Sequence, residues 1–293
     1  MTGTMSDDLS PVAILAGNGN LPLEIGHSLR ARDVPVLMLG MKGEADERLN
    51  DFTHEVIEWE KVGRLFKTLE KHNIKRLILA GGIVGRPDLK FSNMDLGAIR
   101  TLPRMLSVLF AGDNSVLSGV MSVFEKRGYR VCGVAELAPE LLAKVGPNTT
   151  NKPNKKELDR LLTGVAVTHA LGPYDVGQAC VVNGKRAVAV EGIEGTDGML
   201  KRIEELRSSG RLPDRKTGVL VKCTKPGQDF RADLPTIGPQ TIENAHRAQL
   251  CGIGIEAHKS IIIDREETLS LAKQHGVFIY GLSEKQIQVA GAR

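Results

Sequence analysis

Short apolar runs alternate with helix-spaced stretches through the first half of the chain. Val12-Ala-Ile-Leu15 and Val34 to Leu39 have the length and content of buried strands, with Pro35 tolerable at the start of the second. Pro22 fits the first turn of a helix running to about Arg32. Val62, Leu65, Phe66 and Leu69 recur at helical spacing over Val62 to Lys71, and Arg76-Leu-Ile-Leu-Ala80 is another strand. Asp113 suits an N-cap of a helix reaching about Lys126; Gly128 ends it, and Arg130-Val-Cys-Gly-Val134 follows as a strand. Strands alternating with helices imply a parallel, right-handed α/β sheet, here a Rossmann-like N-terminal domain over residues 5–138.

The pattern changes near Pro139. Residues 139–163, with prolines, asparagines and lysines between Val145 and Lys156, are expected to be a linker or exposed loop. Beyond it a mixed α+β domain, residues 164–293, is expected. Gln178 to Val182 and Lys185 to Val190 flank Asn183-Gly184, a hairpin signal for a type I′ turn. Thr196 to Arg207 and Pro239 to Cys251 have helical spacing, while Gly218 to Val221 and Ser260 to Ile263 read as strands.

Composition narrows the chemistry. The 293 residues exceed one ordinary core, and 41% hydrophobic with 25% charged residues is ordinary globular usage. A net charge of +4 and an aromatic content of 4% argue against nucleic acid as a partner. The four cysteines, Cys132, Cys180, Cys223 and Cys251, form no CxxC pair, which argues against zinc and disulfide frameworks and for a reducing, cytoplasmic setting. Met1 to Thr4 ahead of Met5 reads as an extension, no signal peptide pattern follows, and no run is long enough to span a bilayer.

Several loops carry candidate chemistry. Gly17-Asn18-Gly19-Asn20 follows a strand and opens a helix, which suits a phosphate cradle or a plain tight turn. It lacks the dinucleotide fingerprint: Pro22 stands at the third glycine position, and Leu39-Gly40 ends the second strand without an acidic residue. Gly81-Gly82, running on to Arg86 and Asp88, and Gly112-Asp113 lie at the same expected sheet edge, so the three loops could share one concave rim. In Glu191-Gly-Ile-Glu-Gly-Thr196-Asp197 the carboxylates could ligate Mg²⁺, or the glycines could serve the turn and Asp197 the helix dipole.

The densest cluster is Lys222 to Pro235. Lys222, Lys225, Gln228, Asp229, Arg231 and Asp233 crowd between Pro226, Gly227 and Pro235. Cations can hold anionic oxygens, and a carboxylate beside them can orient a metal ion or take a proton from water. A solvated loop is the bland alternative, weakened by prolines that would rigidify it. Spacing leaves the choice between Asp229 and Asp233 open. Nucleophilic chemistry lacks a G-x-S-x-G elbow, and no histidine pair has H-x-x-x-H spacing; a structural role suits His258. An ATP-using ligase should carry G-x-x-x-x-G-K-[ST], which is absent.

Taken together, Ala16-Gly-Asn-Gly-Asn-Leu-Pro22, Ala80-Gly-Gly-Ile-Val84, Gly112-Asp-Asn-Ser115, Val190 to Asp197 and Lys225 to Pro235 resemble the LpxI family. The resemblance covers nearly the whole chain, from about Pro11 to Tyr280. The resemblance implies hydrolysis of UDP-2,3-diacylglucosamine to UMP and 2,3-diacylglucosamine 1-phosphate in lipid A biosynthesis. It further implies Mg²⁺ dependence, two domains with the site between them, and a homodimer. A glycolipid substrate makes contact with the inner membrane surface an expectation. The family's essential aspartate falls at Asp229, with Asp197 and Asp233 as further metal ligand candidates. Gly17, Asn18, Gly19, Gly81, Gly82, Asp113, Thr196, Lys222, Lys225, Gln228 and Arg231 are the expected substrate contacts. The competing class is a non-catalytic nucleotide-sugar or lipid-binding protein, which would not need the carboxylates beside the cations.

Overall fold

The computed structural model describes residues 8–44, 47–58, 61–82, 113–225, 227–231 and 233–291, without the side chains of 62 and 113–116. Pro226, Gly112 and the Gly85 to Asp88 stretch with Arg86 lie outside the described residues. The chain divides into two compact units: Met1–Ala138 with Asp229–Asp233, and Pro139–Gln228 with Leu234–Arg293.

The first unit is built on β1 (Val12–Ala16), α1 (Leu21–Arg30), β2 (Val36–Met41), β3 (Thr53–Ile57), α2 (Val62–Lys71), β4 (Arg76–Ala80), α3 (Asp113–Glu125), β5 (Arg130–Val131) and the short α4 (Val134–Leu137). The strands form one sheet in the order β3-β2-β1-β4-β5, and every pairing is parallel. The chain winds outward from β1 to β3, then returns to the far side of β1 for β4. The carboxyl ends of β1 and β4 therefore sit side by side where the winding reverses, the general ligand position in open α/β sheets. Leu37, Leu39, Ile57, Leu69 and Leu77 are buried against Phe66, Phe124 and Tyr129. Those three rings meet at centroid separations of 5.5 to 6.3 Å. β3, with the pattern Thr-His-Glu-Val-Ile, lacks the apolar run of a central strand because it is the sheet edge.

The second unit begins with β6 (Gly146–Pro147) and α5 (Lys155–Leu171). Residues 139–163, expected to be a linker, thus hold a 3₁₀ turn at Pro139–Leu141, a strand paired with the sheet and the first turns of a helix. That helix starts on a capping box in which Asn154 and Glu157 exchange hydrogen bonds. Its polar composition is that of a helix entry. The unit continues through β7 (Ala179–Asn183), β8 (Arg186–Val190), α6 (Gly195–Ser208), β9 (Val219–Lys222), β10 (Thr236–Ile237), α7 (Pro239–Arg247), β11 (Gly252–Glu256), β12 (Ile261–Ile262), α8 (Arg265–Gln274), β13 (Phe278–Leu282) and α9 (Glu284–Gly291).

The main sheet runs β6-β13-β11-β9-β7-β8, parallel through β13, β11 and β9 and antiparallel outside them. Alternation along the strands covers both faces. Leu161, Val165, Cys180, Val219, Val221 and Phe278 form one buried cluster, and Val181, Leu200, Ile203, Leu220, Ile253 and Ile279 another. The hairpin turn departs from the expected I′ type. Asn183 pairs with Arg186, so the loop residues are Gly184 and Lys185, and only Gly184 has positive φ (65°). Glycine at the first central position with an ordinary residue at the second suits a II′ turn. Among the described residues no helix is long and apolar enough to cross a membrane.

Candidate active site

In the first unit, the two glycine loops at the β1 and β4 carboxyl ends are hydrogen-bonded to each other. Gly17 N donates to Ala80 O at 2.9 Å, Asn18 N to Gly82 O at 2.8 Å, and Gly82 N to Asn18 O at 3.1 Å. A Cβ on Gly17 would lie 2.2 Å from Gly82 O, and one on Gly81, at φ +88°, 2.5 Å from Asn18 O. The glycines are thus required by the approach of two backbones. Three N–H groups expected to face an anion are spent on this pairing, which leaves Gly19 (φ +88°) as the loop's exposed residue. The Asn18 side chain donates to Glu44 at 3.3 Å, and Arg48 donates to Asn20, so the segment after β2 joins the same rim. Asp113 is the first residue of α3; its side chain lies outside the described residues.

Residues 229–233 belong to this first unit, and Asp229 is their centre. The backbone N–H of Arg231 donates to Asp229 Oδ1 at 3.0 Å, Arg231 Nε to Oδ1 at 3.0 Å, and Nη2 to Oδ2 at 2.7 Å. Arg231 Nη1 donates to Glu125 at 2.6 Å. These hydrogen bonds, first among them the side-chain bonds to Arg231, hold the Asp229 carboxyl below the usual carboxylate range, although partial burial opposes them. The two carboxylates raise the Arg231 guanidinium in turn.

The remaining predicted residues lie in the second unit, Lys222, Lys225 and Gln228 at and after the carboxyl end of β9. Lys222 is buried at the end of β9, and its Nζ donates to Thr236 O at 3.0 Å. Lys225 pairs with Asp175 at 2.5 Å. Gln228 Oε1 accepts from Lys225 N at 2.9 Å while Gln228 N donates back to Lys225 O, closing a tight turn through Gly227. Before α6, Thr196 Oγ1 donates to the buried Glu191 at 2.5 Å, and Gln178 N donates to its other oxygen at 2.9 Å. Asp197 Oδ1 accepts from Asn244 Nδ2 at 2.6 Å, which ties α6 to α7.

Sequence reasoning missed Glu256. This carboxylate, 3% exposed, accepts from Thr224 Oγ1 at 2.6 Å and pairs with Lys259 at 3.0 Å. It anchors the residue preceding Lys225. A lone glutamate closing an apolar strand was the available signal. Asp175 and Glu44 carried none, because their partners come from distant segments. Cys132 and Cys180 are pushed up to about 12, chiefly by burial, and the buried Cys223 rises further, so none of the three is poised as a nucleophile.

Mg²⁺ takes oxygen ligands and is commonly held by one or two carboxylates plus substrate phosphates. Asp229 is held in its charged form, and Arg231 donates to both of its oxygens, to Oδ1 from the backbone N–H and Nε and to Oδ2 from Nη2 and, at 3.3 Å, from Nε. Asp233 brings a second carboxylate in the same segment. This donor set fits an ion held largely through the substrate. Among the described residues no three His, Cys, Asp or Glu side chains gather into a metal site.

The fold and these residues define a two-unit α/β protein with a Rossmann-like sheet and a carboxylate–guanidinium centre. A sequence model of the LpxI N-terminal domain matches residues 11–141, and one of the LpxI C-terminal domain matches residues 144–280. The UDP-2,3-diacylglucosamine pyrophosphatase LpxI of Caulobacter vibrioides (strain CB 15) is 32% identical over 276 residues, 94% of this chain and 98% of that protein. The chain belongs to the LpxI family. Among solved structures, a GalE-like L-threonine dehydrogenase from Cupriavidus necator (holo form) is similar at 12% identity, covering 96% of this chain and 88% of that one. Its TM-score of 0.30 is too low to carry an argument.

Proposed function

We propose that this chain hydrolyses the diphosphate of UDP-2,3-diacylglucosamine to UMP and 2,3-diacylglucosamine 1-phosphate. The observation that carries the reading is the clasped, ionised Asp229, within the segment whose motif matches the family. A water oxygen bonds to one phosphorus as the bridging P–O bond breaks, and each product leaves as a phosphate monoester.

A carboxylate held below its usual pKa is a weak proton acceptor, and it stays charged at every working pH. The geometry therefore favours Asp229 as the group that orients the attacking water or ligates Mg²⁺ over a general base. Asp229 and Asp233 would hold Mg²⁺, which when bound neutralises diphosphate oxygens and favours departure of the leaving phosphate. Lys225, which pairs with Asp175, supplies a cation for the diphosphate, and Lys222 holds the β9 end in place. The loop around Gly19 at the β1 carboxyl end takes part of the nucleotide sugar. We further propose a homodimeric cytoplasmic enzyme that meets its diacylated substrate at the inner membrane surface.

The test incubates purified protein with Mg²⁺ and the diacylated substrate and follows UMP. Wild type releases UMP, and Asp229→Ala lowers the rate by ~10²–10⁴-fold with its fold intact. Saturable binding with no UMP from wild type would favour the binding-protein reading. An Asp229→Ala variant with more than about a tenth of the wild-type rate would remove Asp229 from the mechanism.

A further inference from the structure

We propose that Glu125 is a positioning residue for Asp229 and acts through Arg231. The inference rests on the hydrolytic reading of Asp229. The Arg231 guanidinium is forked between two carboxylates: Nε and Nη2 face Asp229 at 3.0 and 2.7 Å, and Nη1 faces Glu125 at 2.6 Å. A guanidinium is planar and its donors have fixed directions. With Glu125 holding one edge, the other edge cannot turn away from Asp229, so the carboxylate loses freedom that it would otherwise have on a loop.

The position of Glu125 argues against a bland helix-end role. It is the last residue of the thirteen-residue α3, where a negative charge opposes the helix macrodipole. Helix stability thus gives no reason for a carboxylate there. Its partner lies 106 residues away in sequence, so the pair is a tertiary feature. The backbone next to it is seated as well. A Cβ on Gly133 would lie 3.1 Å from Arg231 Cα, a tight approach that shows how closely the two backbones are seated. Arg231 and Glu125 are 39% and 42% exposed, so the ion pair itself adds little stability. Its effect is on geometry, and a misplacement of about 1 Å costs up to ~10²-fold in rate.

The experiment compares Glu125→Ala, Glu125→Gln, Arg231→Ala and the double Glu125→Ala/Arg231→Ala variant in kcat, KM and Tm, with ¹⁵N relaxation of the Arg231 Nε–Hε group. Glu125→Ala is expected to lower kcat by about 10-fold with KM and Tm little changed. Glu125→Gln, which keeps an acceptor, should fall between it and wild type. Glu125→Ala should add nothing in the Arg231→Ala background, and Arg231 Nε–Hε should become more mobile in both Glu125 variants. A kcat within twofold of wild type in Glu125→Ala, or a full additional loss in the double variant, would overturn the proposal. If Glu125→Ala fails to fold, Glu125→Gln carries the same comparison. If wild type releases no UMP, the hydrolytic reading fails by itself. The relaxation measurement still decides the clasp, and an unchanged, rigid Arg231 in Glu125→Gln would reject it.

Discussion

Asp229 shows how local hydrogen bonding sets a residue's chemistry. Its carboxyl is held low mainly by the Arg231 side chain, so the folded state prefers the charged form. For such a group the stabilisation is fully present above the unfolded pKa of ~4 and is lost as pH falls through the folded value. Urea unfolding of wild type and Asp229→Asn should therefore differ at pH 7, and the difference should shrink below about pH 4. The same ordering places no neutral-range limb of the pH–rate profile on Asp229. If ¹³C titration assigned a limb near pH 6 to the Asp229 carboxyl, the orienting role would give way to general-base catalysis. The sequence made Asp229 and Arg231 visible as neighbours in one polar segment. It left the partner of Arg231 hidden, because Glu125 approaches from a helix a hundred residues earlier. Glu256 was hidden for a related reason: one buried carboxylate after four apolar or glycine residues has no local pattern to announce its partners.

At the scale of elements, the glycine loops of β1 and β4 serve a purpose that spacing could not disclose. Their alignment on one sheet edge was legible from the strand–glycine pattern. Their mutual pairing needed the strand order, which places β1 beside β4. This pairing separates two substitutions of the same chemical type. Gly17→Ala would push a methyl to 2.2 Å from the Gly82 carbonyl oxygen, which is backbone and cannot step aside. Gly82→Ala meets the Asn18 side-chain oxygen at 2.8 Å, which can rotate. Thermal denaturation should show Gly17→Ala less stable by ~1–3 kcal/mol and Gly82→Ala by a smaller amount. Equal effects would mean that the loops part easily. A second element-scale device is the stack of His246, in the last turn of α7, on His275 after α8, with ring centroids 3.9 Å apart. Burial, then His275 and Lys216, hold His246 below its usual range; Glu243, 3.0 Å from His275 Nε2, works the other way. The stabilisation is present above the unfolded pKa of ~6.5 and is lost as pH falls through the folded value. Stability should decline on acidification below about pH 6.5, and His246→Ala should flatten that decline; an unchanged slope in the variant would assign it elsewhere.

At the scale of the whole molecule, two units and a family were legible because motif blocks lie along nearly the full length, and both LpxI domain models match. The structure also places 229–233, late in the sequence, within the compact first unit, which no boundary read along the chain can express. The proposed metal dependence follows the same logic of parts brought together. Among the described residues no preformed cluster of three ligands exists, and both Asp229 oxygens already accept hydrogen bonds from Arg231. An ion held this way needs diphosphate oxygens to complete its shell, since Mg²⁺ requires near-octahedral oxygen coordination. Mg²⁺ alone should therefore leave Tm nearly unchanged, whereas Mg²⁺ with UDP should raise it further than UDP alone, because binding to the folded state stabilises in proportion to occupancy. Chelation should abolish UMP release and be reversed by added Mg²⁺, with no loss of fold in between. The apparent Mg²⁺ requirement should fall as substrate concentration rises, since each ligand completes the other's site. If Mg²⁺ by itself raised Tm by several degrees and Asp229→Ala erased that rise, a resident metal site built by the protein would replace the substrate-borne one.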